Sequence, residues 1–233
     1  MTPSWIIINP MASLFRNASL YLPGRLYDLA FAGMFRGLRR RVATTVEQGG
    51  LYPWFDICCG TGTQLREHVP GARVPDLPAP GPAVCGLDLS YGFVRYAAAR
   101  APGVPFVRGD AARLPFRDRS ARAVSISFAL HDKSPELRRA IMAEARRVLA
   151  PDGCLIAVDF EQPWDRKSRW GMRFSAAVER FARGDHYRNG RDFVRGGGLR
   201  AFLSENGFLE VSRTDISTGS LSIVVARVGP RPS

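Results

Sequence analysis

The chain has 233 residues, 45% of them hydrophobic, and a formal charge of +12 from 33 Lys and Arg against 21 Asp and Glu. That length supports one substantial core with appendages and is cramped for two independent domains. The longest apolar run near the start, Trp5 to Ile8, falls far short of the roughly 20 residues needed to span a bilayer, and the opening lacks the basic start of a secretory signal, so a cytoplasmic protein is expected.

Lys occurs only at Lys133 and Lys167, so the charge is almost all arginine. It fits either an arginine-favouring composition or a polyanionic neighbour, nucleic acid or the inner face of an anionic membrane. Cys58, Cys59, Cys85 and Cys154 show neither Cys-x-x-Cys nor paired His spacing; they read as buried thiols, and no metal site is expected.

In chain order, Leu20 to Gln48 reads as a helix, with Tyr27, Phe31, Met34, Phe35, Leu38, Val42 and Val46 recurring at three- and four-residue spacing. Gly49-Gly50 ends it. Leu51 to Cys58 is an apolar run closing in a glycine turn, followed by a short helix from Thr63 to His68 and a proline-rich surface loop from Pro70 to Pro82. Ala83 to Leu89 reads as a strand, Tyr91 to Arg100 as a helix, and Val104 to Val107 and Ala123 to Leu130 as strands.

Ser134-Pro135 supplies a cap and a first-turn proline for a helix running to Leu149, which Pro151-Asp152-Gly153 stops. Cys154 to Phe160 is a fifth strand. A segment to Arg195 interrupts the alternation, and its stripe of Trp170, Phe174, Val178 and Phe181 reads as a cap helix. Gly198 to Glu205 is a helix, and Phe208 to Thr214 and Ser220 to Arg227 form a closing hairpin. The alternation implies an α/β fold: a doubly wound, mainly parallel seven-stranded sheet with an antiparallel last strand. Residues 1–50 form a helical extension and residues 51–233 the main domain, with 161–195 as a cap insertion.

The run from Asp56 to Thr63 carries the chemistry. Gly60 and Gly62 suit a turn that a ligand approaches closely. A dinucleotide fingerprint wants a third glycine where Leu65 stands. Asp56 disfavours a pyrophosphate but orients an ammonium, directly or through water. Asp88, ending the second strand, suits two ribose hydroxyls, and Asp110 follows Gly109 at the same carboxyl edge.

Phe55-Asp56-Ile57-Cys58-Cys59-Gly60-Thr61-Gly62-Thr63, Gly86-Leu87-Asp88-Leu89-Ser90, Gly109-Asp110-Ala111 with Leu114-Pro115-Phe116, and Glu144 to Gly153 resemble, in order and spacing, the motifs of class I S-adenosylmethionine-dependent methyltransferases, whose fold is Rossmann-like. The Asp-x-Cys-Cys-Gly-Thr-Gly form, with Tyr27-Asp28 upstream, is similar to the menaquinone and ubiquinone C-methyltransferases. The resemblance implies S-adenosylmethionine as cofactor, with Asp56, Gly60 and Gly62 around its methionine moiety, Asp88 on the ribose, and Asp110 and Ala111 beside the adenine. Cys58, Thr61 and Leu89 complete the expected contacts. Two positions depart from the pattern: Cys58 replaces its first glycine, and Asp152 a glycine of Pro-Gly-Gly.

His131, after the fourth strand, is the expected base for a carbon or oxygen nucleophile, with Asp132 to assist. Asp159 and Glu161 end the fifth strand and would either line the pocket or stand as solvated strand-end carboxylates. Tyr27, Trp170, Phe174, His186 and Tyr187 are expected around the substrate, a small or lipophilic acceptor such as a quinone precursor. The amino-terminal helix and Trp5 to Phe15 would either rest on an anionic membrane or pack over the cofactor site. A phospholipid amine or RNA acceptor, or cofactor binding without catalysis, are the competing readings. Ala129-Leu130-His131-Asp132-Lys133 lacks the Asn/Asp-Pro-Pro-Tyr pattern of base-amine methylation, which makes nucleic acid the weaker of these.

Overall fold

The computed structural model describes residues 6–7, 25, 28–29, 33, 35–68, 84–163, 185–216 and 219–230. The strands are β1 (Ile6–Ile7), β2 (Trp54–Ile57), β3 (Val84–Asp88), β4 (Phe106–Arg108), β5 (Ala121–Ser127), β6 (Leu149–Phe160), β7 (Phe208–Ile216) and β8 (Leu221–Val228). The helices are α1 (Arg36–Gln48), α2 (Thr63–His68), α3 (Tyr91–Arg100), α4 (Pro135–Val148), α5 (Asp185–Arg195) and α6 (Gly198–Glu205).

One sheet runs β1-β4-β3-β2-β5-β6-β8-β7. Its centre, β4 to β6, is parallel, while β8 lies antiparallel to β6 and β7 antiparallel to β8. The expected doubly wound architecture is present, with eight strands among the described residues rather than seven, because Ile6 and Ile7 pair antiparallel with Arg108 and Val107. Two residues leave no periodicity to read. All four residues of β2 are buried, as befits a parallel strand covered on both faces.

Two cores result. One packs α4, α5 and α6 on the sheet through Ile141, Met142, Ala145, Phe193, Leu199 and Leu203. The other packs α1, α2 and α3 on the opposite face through Leu38, Val42, Val46, Leu65, Val94 and Ala97. Leu65, the residue that stands where a dinucleotide loop has its third glycine, is fully buried there and spaces α2 from the sheet.

The capping chemistry of α4 is as expected: Ser134 Oγ accepts from Leu137 N, Pro135 opens the helix, and Arg146 and Arg147 fill its last turn. The single helix expected from Leu20 to Gln48 is interrupted, since Gly33 and Phe35 lie in turns and α1 begins at Arg36. The fifth strand starts five residues early, at Leu149. The chain passes straight from α4 into pairing with Ala121, and Pro151-Asp152-Gly153 is absorbed where the β5–β6 register shifts. Of the expected cap, Trp170 and Phe174 lie outside the described residues, as does the proline-rich loop. The end of that segment is α5, whose Phe193 is buried in the first core.

Candidate cofactor and active site

The carboxyl ends of β2, β3 and β4 stand side by side, so the topology brings Asp56, Asp88 and Asp110 to one edge. Between β2 and α2 the loop takes three left-handed conformations, at Cys58 (φ 56), Gly60 (φ 54) and Gly62 (φ 69). Cys58 therefore holds the conformation of the glycine it replaces, at a backbone cost of about 1–2 kcal/mol. Burial pushes its thiol up to about 12, so it stays a neutral group.

The two glycines serve different ends. A Cβ on Gly62 would lie 2.6 Å from the Phe106 ring and 2.7 Å from Ala97, whereas one on Gly60 would meet nothing within 4 Å. Gly62 is thus required by packing against β4 and α3. Gly60 is the position at which a ligand can approach the backbone.

Asp56 is 2% exposed. Its Oδ1 accepts from Ser125 Oγ at 2.6 Å, and Ser125 Oγ accepts in turn from Trp54 Nε1 at 2.7 Å. Burial raises the Asp56 carboxyl to about 7; the Ser125 hydrogen bond opposes the shift and the Asp88 charge adds to it. Asp88 accepts from Gly60 N and Ser90 N, both at 2.8 Å, and burial raises its carboxyl against those bonds. Each oxygen keeps accepting capacity beyond that one bond.

Asp110 is exposed and accepts from Ala112 N at 2.9 Å, while Ala111 is buried. The loop that carries them is fastened to α4: Glu144 Oε2 accepts from Leu114 N at 2.7 Å, and Arg147 donates to Leu114 O at 2.9 Å and Phe116 O at 2.8 Å. Leu89 stands 66% exposed beyond Asp88, an apolar shelf at the same edge.

Residues Asp56, Cys58, Gly60 and Thr61 line a partly open cavity of about 70 Å³, walled on the α1 side by Phe35, Leu38 and Arg39. Two further lining residues, Gln64 and Ser127, each hold a buried oxygen without a hydrogen-bond partner, Oε1 and Oγ respectively. Buried acceptors and hydroxyls without partners are costly, so this cradle suits a polar ligand. Its volume is below the roughly 300 Å³ of a small-molecule site, which accommodates one polar end of a larger ligand lying along the open strand edge. These features fit S-adenosylmethionine: a carboxylate faces the cavity for an ammonium, and Asp88 and Asp110 follow at the next two strand ends.

Asp28 reaches this loop from the amino-terminal extension. Its carboxylate accepts from Thr61 Oγ1 (2.7 Å), Thr63 Oγ1 (3.0 Å), Arg66 Nη1 (2.9 Å) and Tyr96 Oη (3.1 Å). Burial pushes the carboxyl up, but the Thr61, Arg66 and Thr63 hydrogen bonds and the Arg66 charge outweigh it and hold it below its ordinary value. Tyr27-Asp28 was visible in the sequence only through the family likeness; no periodicity points to a carboxylate clasping a loop some thirty residues later.

His131 lies at the end of β5, 5% exposed, and is not among the cavity's lining residues. Its ring stands edge-on to Phe160 with centroids 4.7 Å apart, and Phe160 meets Phe128, which does line the cavity. His131 Nδ1 is 2.7 Å from Asp159 Oδ1, while Asp159 Oδ2 accepts from Leu130 N (3.0 Å) and His131 N (3.2 Å). A carboxylate only accepts, so Nδ1 carries the hydrogen and Nε2 is the basic nitrogen.

Arg138, buried on α4, fixes this turn by donating to Leu130 O (2.7 Å), His131 O (3.0 Å) and Asn189 O (2.6 Å). Asp132 pairs with Lys133. Asp159 and Glu161 are not solvated: they are 0% and 3% exposed, and Glu161 accepts from Ser222 Oγ at 2.6 Å. Alternation around strand ends cannot distinguish a solvated carboxylate from one gripped by a neighbouring turn. Tyr27 lies outside the described residues, and His186 and Tyr187 sit on α5 with side chains outside them.

A methyltransferase-domain family model matches residues 55–153. A demethylmenaquinone methyltransferase from Beutenbergia cavernae is 37% identical over 139 residues, 58% of this chain and 52% of that protein. Another from Lactiplantibacillus plantarum is 30% identical over 167 residues, 68% of this chain and 67% of that protein. The chain spans about half the length of most of the curated relatives it matches. The N-methyltransferase NodS from Bradyrhizobium japonicum, solved with S-adenosyl-L-homocysteine, shares the fold at TM-score 0.57 and 12% identity, over 83% of this chain and 86% of that one. With the motifs of residues 55–153 standing in order along the carboxyl edge of this sheet, the chain belongs to the class I S-adenosylmethionine-dependent methyltransferases and resembles their menaquinone branch.

Proposed function

We propose that the protein transfers a methyl group from S-adenosylmethionine to a carbon of a lipophilic quinone precursor. The observation that carries this is the row of Asp56, Asp88 and Asp110 at three adjacent strand ends, around a loop whose Gly60 leaves its backbone open. The likeness to demethylmenaquinone methyltransferases supports the acceptor class.

When bound, S-adenosylmethionine supplies a methyl group already activated by its sulfonium, so the protein's task is chiefly placement. Asp56 holds the ammonium in the cavity beside the glycine loop, with Thr61 and Cys58 walling it. Asp88 takes the ribose hydroxyls, and Asp110 and Ala111 flank the base beside Leu89. A hydroquinone carbon becomes nucleophilic when a ring hydroxyl loses its proton; His131 Nε2 receives that proton, and Asp159 fixes the tautomer and orientation that allow it. Once S-adenosylhomocysteine has left, the methylated carbon gives up its own hydrogen as a proton to restore the aromatic ring. No described helix is long and apolar enough to cross a membrane; the acceptor is reached by peripheral contact of the basic surface with an anionic membrane face.

Methyl-labelled S-adenosylmethionine, incubated with the protein and either a membrane lipid extract or total RNA, tests the substrate class. Label entering a quinone fraction is the expected result. Label in RNA alone, or in a phospholipid amine, overturns it.

A further inference from the structure

Helix α1 has two working flanks. Phe35, Leu38 and Arg39 wall the cofactor cavity, while Arg40, Arg41, Thr44 and Thr45 face a second hollow of about 420 Å³, walled on its far side by Ser212 and Thr214 of β7. Ile223 and Val225 of β8 form its floor, directly opposite Thr214 and Ser212 in the β7–β8 ladder. On the other face of the same strands Val224 and Ala226 are core. A sheet face meant for a packed helix would carry apolar residues where Ser212 and Thr214 stand.

The hollow is cationic. Arg40 and Arg41 form no ion pair with any described residue, and the acidic groups of β7 are engaged elsewhere, Asp215 with Arg213 at 3.1 Å and Glu210 with Arg200 at 3.7 Å. Thr45 Oγ1 already donates to Arg41 O at 2.9 Å; the two guanidiniums and the hydroxyls of Thr44, Ser212 and Thr214 are the hollow's hydrogen-bond donors, and guanidinium forks match phosphate oxygens. Among the described residues no aromatic side chain lines the hollow, so these residues offer no stacking platform of the kind a single-stranded nucleic-acid groove uses. The apolar floor instead suits the carbon portion of a small phosphate ester.

We infer that the hollow between α1 and the β7–β8 hairpin binds the phosphate of a phosphate ester, a phospholipid headgroup or a free phosphate compound. This deepens the membrane reading above and does not depend on methyl transfer. Because α1 forms a wall of both cavities, and Gln64 Nε2 is bonded to Arg39 O at 2.8 Å, occupancy of the hollow steadies the helix that walls the cofactor cavity.

Two measurements on the full chain test it, both with R40A/R41A, S212A/T214V and the distant control R113A/R117A. In the first, inorganic phosphate and glycerol phosphate are titrated while backbone amide shifts are followed. In the second, the protein is sedimented with phosphatidylglycerol or phosphatidylcholine vesicles. We expect phosphate-induced shifts centred on Gly37 to Thr45 and Ser212 to Thr214, and phosphatidylglycerol binding that R40A/R41A weakens roughly thirtyfold. S212A/T214V should weaken it without changing charge, and S-adenosylhomocysteine binding should survive in every variant. Phosphate shifts at the hollow without vesicle binding would support the site with a soluble ligand and overturn the membrane reading. Vesicle binding that R113A/R117A reduces as much as R40A/R41A, an absence of phosphate shifts at the hollow, or displacement of phosphate from it by an RNA oligonucleotide at lower concentration than by glycerol phosphate would each overturn the assignment.

Discussion

At the scale of single residues, the electrostatics of Asp56 lead to a pH dependence of definite sign. Its carboxyl is raised to about 7 by burial, so the protein without ligand carries it largely protonated in mild acid, and a bound ammonium requires the ionised form. Cofactor affinity should therefore be full above about pH 7.5 and fall with acidification, by roughly 30-fold between pH 8 and pH 5.5 for a single proton. Isothermal titration across that range measures it. Asp56→Asn should bind weakly at every pH and flatten the profile, whereas an equally steep profile in the variant would assign the proton elsewhere. His131→Asn should lower kcat by 10²- to 10⁴-fold while leaving S-adenosylhomocysteine affinity within about twofold. Asp159→Asn should lower kcat and change its pH profile, an effect that a purely structural loss does not produce.

Which residues were legible follows from their position. Asp56, Asp88 and Asp110 each follow an apolar run next to a glycine or turn, so strand-end placement could be read directly. Asp28, Ser125, Ser127 and Asp159 contribute through partners 28 to 69 residues away, or through a missing partner, and no local pattern encodes either.

At the scale of elements, the glycine loop divides into a ligand-facing and a packing position. Gly62→Ala adds a methyl 2.6 Å from the Phe106 ring at a left-handed φ and should destabilise the fold by about 2–5 kcal/mol. Gly60→Ala meets open space and should cost about 1–2 kcal/mol of backbone strain, with its larger effect on cofactor affinity. Thermal unfolding with and without S-adenosylhomocysteine separates the two; equal destabilisation by both changes would contradict the division of roles.

The extension is tied to this loop by Asp28. Asp28→Ala leaves two threonine hydroxyls, Arg66 and Tyr96 without their common acceptor; it should cost about 1–3 kcal/mol in stability and weaken cofactor binding about tenfold. The motif from Glu144 to Arg147 has a structural reason that spacing alone does not disclose. Glu144 and Arg147 hold Leu114 and Phe116, and with them the Asp110 loop, against α4.

For the whole molecule, the parallel centre and its antiparallel hairpin were readable because strand-helix alternation and buried runs persist over long stretches. The eighth strand was not, being two residues at the sheet's edge. The long first helix was over-read because apolar spacing continues across Gly33 and Phe35, where the backbone turns. Nothing in periodicity distinguishes a helix that continues from one that breaks and resumes in phase. The basic charge, ambiguous as a sum, becomes local in the structure: Arg40 and Arg41 border a hollow while the acidic groups of β7 are paired.

The central claim is methyl transfer from S-adenosylmethionine to a quinone-precursor carbon, and the most direct measurement pairs the purified chain with a reduced demethylated naphthoquinone and follows both products by mass spectrometry. The predicted result is one S-adenosylhomocysteine formed per acceptor gaining a methyl group on ring carbon, at a rate abolished by Asp56→Asn and sharply reduced by His131→Asn. Tight S-adenosylmethionine binding with no methylated quinone product, or a methyl group found on oxygen or nitrogen, would contradict it.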